Sequence, residues 1–285
     1  MKYAVDLPNF GPFGDARVLA DLAQAAEDAG WDGFFIWDHV YWGAVPHVDP
    51  WVALAAVALQ TQRIRIGTMI TPIPRRRPHK LARETVSIDH LSGGRLILGV
   101  GSGGGEAEYD LLGEADTAQM RGALLDEGLE ILTGLWSGET VHYQGRYLKA
   151  IGPQFQPTPV QKPRIPIWVA GMWPNKKPMQ RGARYDGIFP LTLAAGLDGM
   201  VTVDEMRAAI DYVAKRRGNR AFDVAHAGRS TGDPAQDRAI IEPYAAIGVT
   251  WWLENTNPWA FGWSGQGDWP VDAMRARIEQ GPPRL

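Results

Sequence analysis

The chain has 285 residues, a formal net charge of −3 at pH 7, 12 tryptophans and no cysteine. The absence of cysteine excludes disulfides and thiolate–metal sites, and no basic face or nucleic-acid motif stands out. The longest candidate for a membrane span, residues 51–59, is far shorter than a bilayer requires, and Asp6 and Pro8 come too early for a signal peptide. We therefore expect a cytoplasmic protein without a nucleic-acid or membrane partner.

Short β-rich runs alternate with helical patterns through the first half of the chain. Strands are predicted over residues 3–7, 33–37, 64–70 and 96–100. Helices are predicted over residues 15–30, from 49 onward, over 78–91 and over 117–136. Asp15 is a typical N-cap residue, Gly30 ends a helix readily, and the proline after Asp49 suits a first helical turn. These patterns make four βα units.

The alternation breaks over residues 137–166. Residues 139–143 and 146–150 predict a surface hairpin, and the proline-rich segment 153–166 is expected to be extended. We interpret this stretch as an insertion within one domain of residues 1–285. Together with residues 256–269, it is expected to shape the substrate site.

The alternation resumes after the insertion. Strands are predicted over residues 167–170, 187–191, 223–227 and 250–254, and helices over 178–184, 202–216, 233–247 and 270–280. Thr202 and Glu205 have the spacing of a capping box. Eight strands, each followed by a helix, predict an α/β fold of the single-domain (β/α)8 TIM barrel type.

In such a barrel the residues just past each strand converge on one face, where ligands bind. Five glycines lie within residues 99–105, and main chain so bare can lie against a flat or phosphorylated ligand. The face offers a single histidine, His39, which gives little support for a binuclear metal hydrolase or any other metal site. It also carries several tryptophans, which suits a large planar ligand better than a small phosphosugar. These are Trp37, Trp42, Trp173, Trp259 and Trp263.

Five segments in the first two thirds of the chain resemble successive signatures of one family. They are residues 35–39 (FIWDH), 66–72 (IGTMITP), 89–101 (DHLSGGRLILGVG), 156–163 (QPTPVQKP) and 167–171 (IWVAG). In order and spacing they are similar to the motifs of the bacterial luciferase-like family of flavin- and deazaflavin-dependent oxidoreductases.

The resemblance implies a barrel that holds coenzyme F420, or alternatively FMN, at the carboxyl ends of its strands. It implies that His39 lies near the reactive ring and that Asp38 orients His39 or touches the ring edge. An imidazole can hydrogen-bond a substrate and pass a proton near neutral pH. By the same resemblance, a bulged non-prolyl cis peptide at Thr68-Met69 supports the ring.

The resemblance also implies contacts from the main chain. Gly101, Ser102 and Gly103 would let the backbone run along the ring system, and the amides of Gly171 and Met172 would hold the cofactor phosphate. It further implies a homodimer.

The chain departs from the family pattern in one loop. In a sugar-phosphate dehydrogenase of the family a glutamate closely follows the glycine loop, whereas that position here is Gly104. Glu106 and Glu108 come further on, either as solvated carboxylates or at the start of a helix, and their role stays open. Arg75, Arg76 and Arg77, beside Lys80, form either an exposed charged turn or a set of cations for the acidic tail of F420.

The substrate is expected to be apolar or aromatic, because residues 255–259 after the last strand are neutral and aromatic. The tryptophans expected to line its pocket are Trp42, Trp173, Trp259 and Trp263. Three functions remain open: hydride transfer between F420 and a small organic substrate, a two-component FMN monooxygenase using O2 and a separate flavin reductase, and a barrel that binds a flavin without turnover.

Overall fold

The computed structural model describes residues 1–104, 106–114, 117–192 and 200–283, apart from the side chains of Glu106 and Ala107. Its strands are β1 (Lys2–Leu7), β2 (Gly33–Ile36), β3 (Arg65–Pro72), β4 (Leu96–Gly101), β5 (His142–Gln144), β6 (Lys149–Ile151), β7 (Ile167–Met172), β8 (Gly187–Leu191), β9 (Asp223–Gly228) and β10 (Trp251–Asn255). Within the described residues, eight of these strands close into a parallel barrel in the order β1, β10, β9, β8, β7, β4, β3, β2. The predicted (β/α)8 fold is confirmed.

Helices surround the barrel, and several of them begin at a predicted cap. They are α1 (Ala16–Asp28), α2 (Pro50–Gln60), α3 (Pro78–Leu91), α4 (Glu106–Leu112), α5 (Ala118–Ser137), α6 (Lys176–Gly182), α7 (Val203–Ala214), α8 (Pro234–Ala246) and α9 (Val271–Glu279). Asp15 and Asp49 accept hydrogen bonds from the first backbone amides of α1 and α2, and Thr202 and Glu205 form the capping box of α7. In the part of the chain described, no helix combines the length and the apolar character needed to cross a membrane.

Successive residues of a barrel strand point alternately into the barrel and toward the helices. Trp251 belongs to the apolar interior, whereas Trp252 packs against Tyr244 of α8. On β1, Ala4 is interior. Asp6, two residues on, therefore points inward as well, one layer nearer the carboxyl ends of the strands.

Strand β3 carries a bulge where it pairs with β4. From Thr68 to Thr71 it advances three residues while β4 advances two. A non-prolyl cis peptide lies inside this bulge, between Met69 and Ile70. The position expected from the family resemblance, Thr68-Met69, is therefore wrong by one residue, because regular pairing with β4 continues through Thr68.

The proline-rich end of the insertion packs at the far end of the barrel from the expected ligand site. Nε2 of Gln161 donates to the carbonyl of Leu96 at the start of β4 (2.7 Å), and its Oε1 accepts from Nη2 of Arg65 at the start of β3 (2.9 Å). Ligands of such barrels bind at the carboxyl ends of the strands. The expectation that the insertion shapes the substrate site is therefore wrong for this end of it, and stays a prediction for the hairpin.

Glu127 of α5 anchors the turn between β5 and β6. Its carboxylate accepts hydrogen bonds from the backbone amides of Arg146 (2.9 Å), Tyr147 (3.0 Å) and Leu148 (2.7 Å). Replacing Glu127 with glutamine should lower the free energy of unfolding by about 1–2 kcal/mol, because a charged acceptor binds amides more strongly than a neutral one. Urea denaturation measures this loss. The half-exposed Glu130 of the same helix is the control, and equal losses in E127Q and E130Q would contradict the anchoring role.

Candidate functional site

His39 lies just past β2 at the carboxyl end of the barrel, hereafter the mouth. Asn9, just past β1, holds its main chain on both sides. Oδ1 of Asn9 accepts from the His39 amide (3.0 Å), and Nδ2 donates to the carbonyls of His39 (2.8 Å) and Val48 (2.8 Å). Because Asn9 is fully buried, the backbone at His39 has a fixed position.

The side chain of His39 is bound by Glu108 of α4. Oε2 of Glu108 lies 3.1 Å from Nδ1 of His39 and accepts from Nη2 of Arg75 at 3.0 Å, while Oε1 accepts from the amides of Val40 (2.9 Å) and Tyr41 (3.0 Å). Burial raises the pKa of Glu108, but the hydrogen bond and charge of His39, the Tyr41 amide and Arg75 outweigh it and lower the pKa to about 2. Glu108 is thus ionised near neutral pH. Nε2 of His39 has no protein partner among the described residues, which leaves it available to a ligand.

Asp38 does not orient His39, so the first of its two expected roles is wrong, and contact with the ring edge remains a prediction. Its carboxylate is buried and accepts a hydrogen bond from the guanidinium of Arg76, which lies in the loop after β3. Burial raises the pKa of Asp38 although Arg76 opposes the shift. The orienting carboxylate is Glu108, whose role the sequence left open because it lies 69 positions from His39. The side chain of Glu106 is outside the described residues.

One of the two expectations for the arginine run, an exposed charged turn, is wrong for two of its three residues. The side chains of Arg75 and Arg76 are 3% and 15% exposed, and both are paired with carboxylates. These pairs leave Arg77 as the exposed member of the run. Arg229, just past β9, is also exposed at the mouth. Lys80 beside the run is exposed as well, and a role of these cations in binding an acidic cofactor tail remains a prediction.

The glycine loop after β4 accommodates neighbouring parts of the chain. A Cβ atom at Gly101 would collide with the side chain of Ile70 in the β3 bulge. One at Gly103, which has a φ of +79°, would collide with the hydroxyl of Tyr109. That hydroxyl donates to the carbonyl of Ser102 (2.9 Å). The bare loop therefore lets the bulge and α4 pack closely over this end of the barrel, and contact of its backbone with a ring remains a prediction.

The other residues predicted to bind the cofactor lie at the ends of two strands. Thr68 and Met69 are buried at the bulge of β3, 0% and 4% exposed. Gly171 and Met172 end β7, where a Cβ atom at Gly171 would collide with Pro178 of α6. Close packing of α6 thus explains this glycine, and the phosphate contact also remains a prediction.

Aromatic residues surround His39 in a continuous set of ring contacts, hereafter the aromatic cluster. Its members are Phe10, Trp37, Trp42, Trp259, Trp263 and Trp269. Trp42 stands edge-on to His39 with ring centroids 5.0 Å apart and stacks on Phe10 at 5.3 Å. The planes of Trp37 and Trp259 are 6° from parallel, with centroids 6.5 Å apart. The cluster gives the mouth uncharged, flat walls.

Among the described residues, Trp173 makes no ring contact with this cluster. Its ring packs against Tyr212 of α7 at 6.2 Å, and Nζ of Lys176 lies 3.5 Å above it. The predicted substrate pocket thus separates into the aromatic cluster and an isolated tryptophan. Sequence reasoning missed Phe10 and Trp269, although both lie in loops that follow barrel strands.

A second histidine, His47, also lies at the mouth, so the expectation of a single histidine there is wrong. Its ring stacks on Phe10 at 5.5 Å, and its Nδ1 lies 2.7 Å from the carbonyl of Val45. These contacts assign it a packing role. No group of three or more His, Asp or Glu side chains among the described residues could hold a metal ion.

Comparisons with known proteins agree with this geometry. A family model described as luciferase-like monooxygenase matches residues 7–242. An F420-dependent glucose-6-phosphate dehydrogenase of Nocardia farcinica (strain IFM 10152) is 34% identical over 275 residues, 91% of this chain and 73% of that protein. The oxygenase component of a flavin-dependent trigonelline monooxygenase of Acinetobacter baylyi is 30% identical over 157 residues, 55% of this chain and 43% of that protein. The chain spans about half the length of several other curated relatives that it matches.

The barrel also has a close structural counterpart. A solved F420-dependent secondary alcohol dehydrogenase, in complex with an F420–acetone adduct, superposes with a TM-score of 0.75 at 16% identity, over 90% of this chain and 94% of that one. At this identity the likeness concerns the fold alone. The family model, however, covers most of the sequence, and the Nocardia relative matches nine tenths of it. The chain therefore belongs to the luciferase-like monooxygenase family.

Proposed function

We propose that this protein is an oxidoreductase that transfers a hydride between coenzyme F420 and a small, apolar or aromatic organic substrate. The observation that carries the proposal is the His39–Glu108 pair, which leaves Nε2 of His39 unpartnered beside uncharged aromatic walls. The Nocardia farcinica relative, which matches 91% of this chain, is named an F420-dependent dehydrogenase, and this name supports the choice of cofactor.

The residues at the mouth fit a planar redox ring. Aromatic side chains such as Trp42 and Trp259 favour stacking on flat, polarisable rings. Met69 and Ile70 of the β3 bulge add apolar surface at the same end of the barrel. His39 and the cations Arg77 and Arg229 supply polar contacts for the ring edge and for acidic groups beyond it.

His39 would handle the proton that accompanies hydride transfer. Bound F420 supplies a ring carbon that gives or accepts the hydride. Nδ1 of His39 is engaged by Glu108, so Nε2 is the atom that hydrogen-bonds the substrate oxygen and takes or returns its proton. The ionised Glu108 stabilises the imidazolium that forms, and the aromatic cluster excludes water from the step.

A phosphorylated sugar fits this site poorly. Arg75 is paired with Glu108, which binds His39, and Arg76 is paired with Asp38, which precedes His39. Both cations are therefore already neutralised. Residues 255–259 bring no charge to the mouth. The exposed Arg77 and Arg229 are assigned above to acidic groups of the cofactor, so a phosphate dianion beside His39 would lose its water without gaining an unpaired cation, whereas an apolar substrate would gain from burial.

A two-component FMN monooxygenase is the second candidate, favoured by the identity shared with a flavin-dependent monooxygenase component. It would need a separate flavin reductase to supply reduced FMN. In either case we expect one domain over residues 1–285 and a homodimer, which sedimentation analysis tests directly.

Titration with each cofactor separates the candidates. The purified protein should quench F420 fluorescence saturably, bind F420 more tightly than FMN, and reduce F420 with isopropanol or benzyl alcohol faster than with glucose 6-phosphate. Tighter binding of FMN, with O2 consumption after its reduction, would replace the first candidate by the second. Tight binding without turnover of any tested alcohol, and without O2 consumption, would indicate a non-catalytic flavin-binding barrel.

A further inference from the structure

Asp6 is a buried acid directly below the mouth. It points into the barrel from β1 and is 5% exposed. Its Oδ2 accepts a hydrogen bond from Nε1 of Trp37 (3.1 Å), whereas Oδ1 is buried and has no partner in the described parts of the chain. Core packing does not account for such a residue, because an apolar side chain would avoid the cost of burying an unpaired oxygen.

Among the described residues, the N–H group of Trp37 is the one contact of Asp6 that stabilises a negative charge. In register beside it are the apolar Phe35 on β2 and the neutral Asn255 on β10. The titratable groups nearby face other partners: His39 is bound by Glu108 and meets the indole of Trp37 rather than Asp6, and Glu254 of β10 is bonded to a buried arginine behind the strand. Burial accordingly raises the pKa of Asp6 to about 8, although the indole hydrogen bond opposes the shift.

We propose that Asp6 is a positioning residue of the site, holding the indole of Trp37 through Nε1 so that its face forms one wall for a planar ring. Trp37 lies nearly parallel to Trp259. A rotation of the indole about its side-chain bonds would break both the hydrogen bond and this parallel arrangement. The identity of the planar ring rests on the proposed function, but the titration of Asp6 is a property of the chain alone.

Loss of the proton from Asp6 changes the base of this wall. Near neutral pH the carboxyl is uncharged and its Oδ2 accepts from Trp37. Above about pH 8 the anion accepts from Nε1 more strongly, but its second oxygen is unpaired in apolar surroundings and draws water toward the base of the indole. We therefore expect ring binding to weaken as the pH rises through this range.

The test compares the wild-type protein with D6N, which keeps an oxygen for Trp37 but does not titrate. Infrared difference spectra of the ligand-free wild type should show the carbonyl band of a protonated carboxylic acid that disappears with a midpoint near pH 8. D6N should lack this band. D28N, at the exposed end of α1, should retain it.

Binding of F420 and of FMN, followed by fluorescence at each pH, tests the effect on the site. Taking the ratio of the wild-type and D6N dissociation constants at each pH cancels the effect of the ligands' own titration. Wild-type affinity should fall relative to D6N as the pH rises above the midpoint, by at most about tenfold per pH unit. W37F, which keeps an aromatic face but lacks the N–H group, should bind more weakly than the wild type at pH 7, because its ring has no hydrogen bond to Asp6.

Three results would overturn the inference. A missing acid band at neutral pH, or one that D6N retains, would show that Asp6 does not carry the proton. Parallel pH profiles for the wild type and D6N would remove the positioning role while leaving the proposed function intact. Failure of both cofactors to bind at every pH would reject the proposed function and the positioning role together, with the infrared band still showing that the acid is buried.

Discussion

Replacing His39 with alanine should lower the rate of F420 reduction by about 10²–10⁴-fold while F420 still binds. The variant loses the Nε2 atom that is proposed to handle the substrate proton, and a positioned acid or base contributes about this factor. The walls proposed for the ring, Trp42 and Trp259, remain in place. Single-turnover absorbance changes measure the rate, and fluorescence quenching measures the affinity for F420.

Two further variants sharpen this expectation. H39Q keeps a group that can hydrogen-bond the substrate but does not exchange a proton near neutral pH, so its rate should stay close to that of H39A. H142A removes an exposed imidazole from β5, on the insertion rather than at the mouth, and should match the wild type. Wild-type turnover in H39A would show that the barrel binds its ligand without using this imidazole.

The fold was predictable because its signals are local. Asp15 and Asp49 cap helices through amides two or three residues away, and the β8 strand has the bounds predicted for it, Gly187–Leu191. Alternation along a strand sends neighbouring side chains to opposite faces, and the structure has Trp251 inside the barrel and Trp252 outside it. Each of these features depends on residues close together in the chain, so their spacing is visible in the sequence.

The site was only partly predictable because its decisive contacts are distant in sequence. His39 could be placed at the mouth from its position after a strand. Its hydrogen-bond partner could not be predicted. Asp38 is adjacent in sequence but accepts from Arg76, whereas Glu108 lies on α4, far from His39 in the chain. The burial of Arg75 could not be predicted for the same reason, because it depends on carboxylates that are distant in sequence.

Replacing Glu108 with glutamine should lower the free energy of unfolding by about 3–5 kcal/mol at pH 7. The substitution leaves Arg75, whose side chain is 3% exposed, without its most buried counter-charge, and breaking a buried ion pair on one side carries a cost of this size. Urea denaturation measures the loss. E114Q removes the other carboxylate of Arg75, which is 32% exposed, and should cost less than about 1 kcal/mol.

The pH dependence of this loss identifies its source. The folded-state pKa of Glu108 is lowered from 4.5 to about 2, so its stabilising contribution is complete above pH 4.5 and disappears as the pH falls through about 2. The difference in unfolding free energy between the wild type and E108Q should therefore shrink across that interval and stay constant from pH 5 upward. A difference independent of pH down to about 2 would mean that Glu108 stabilises the fold by shape rather than by charge, and His39 would then lack the anion that the proposed proton transfer requires.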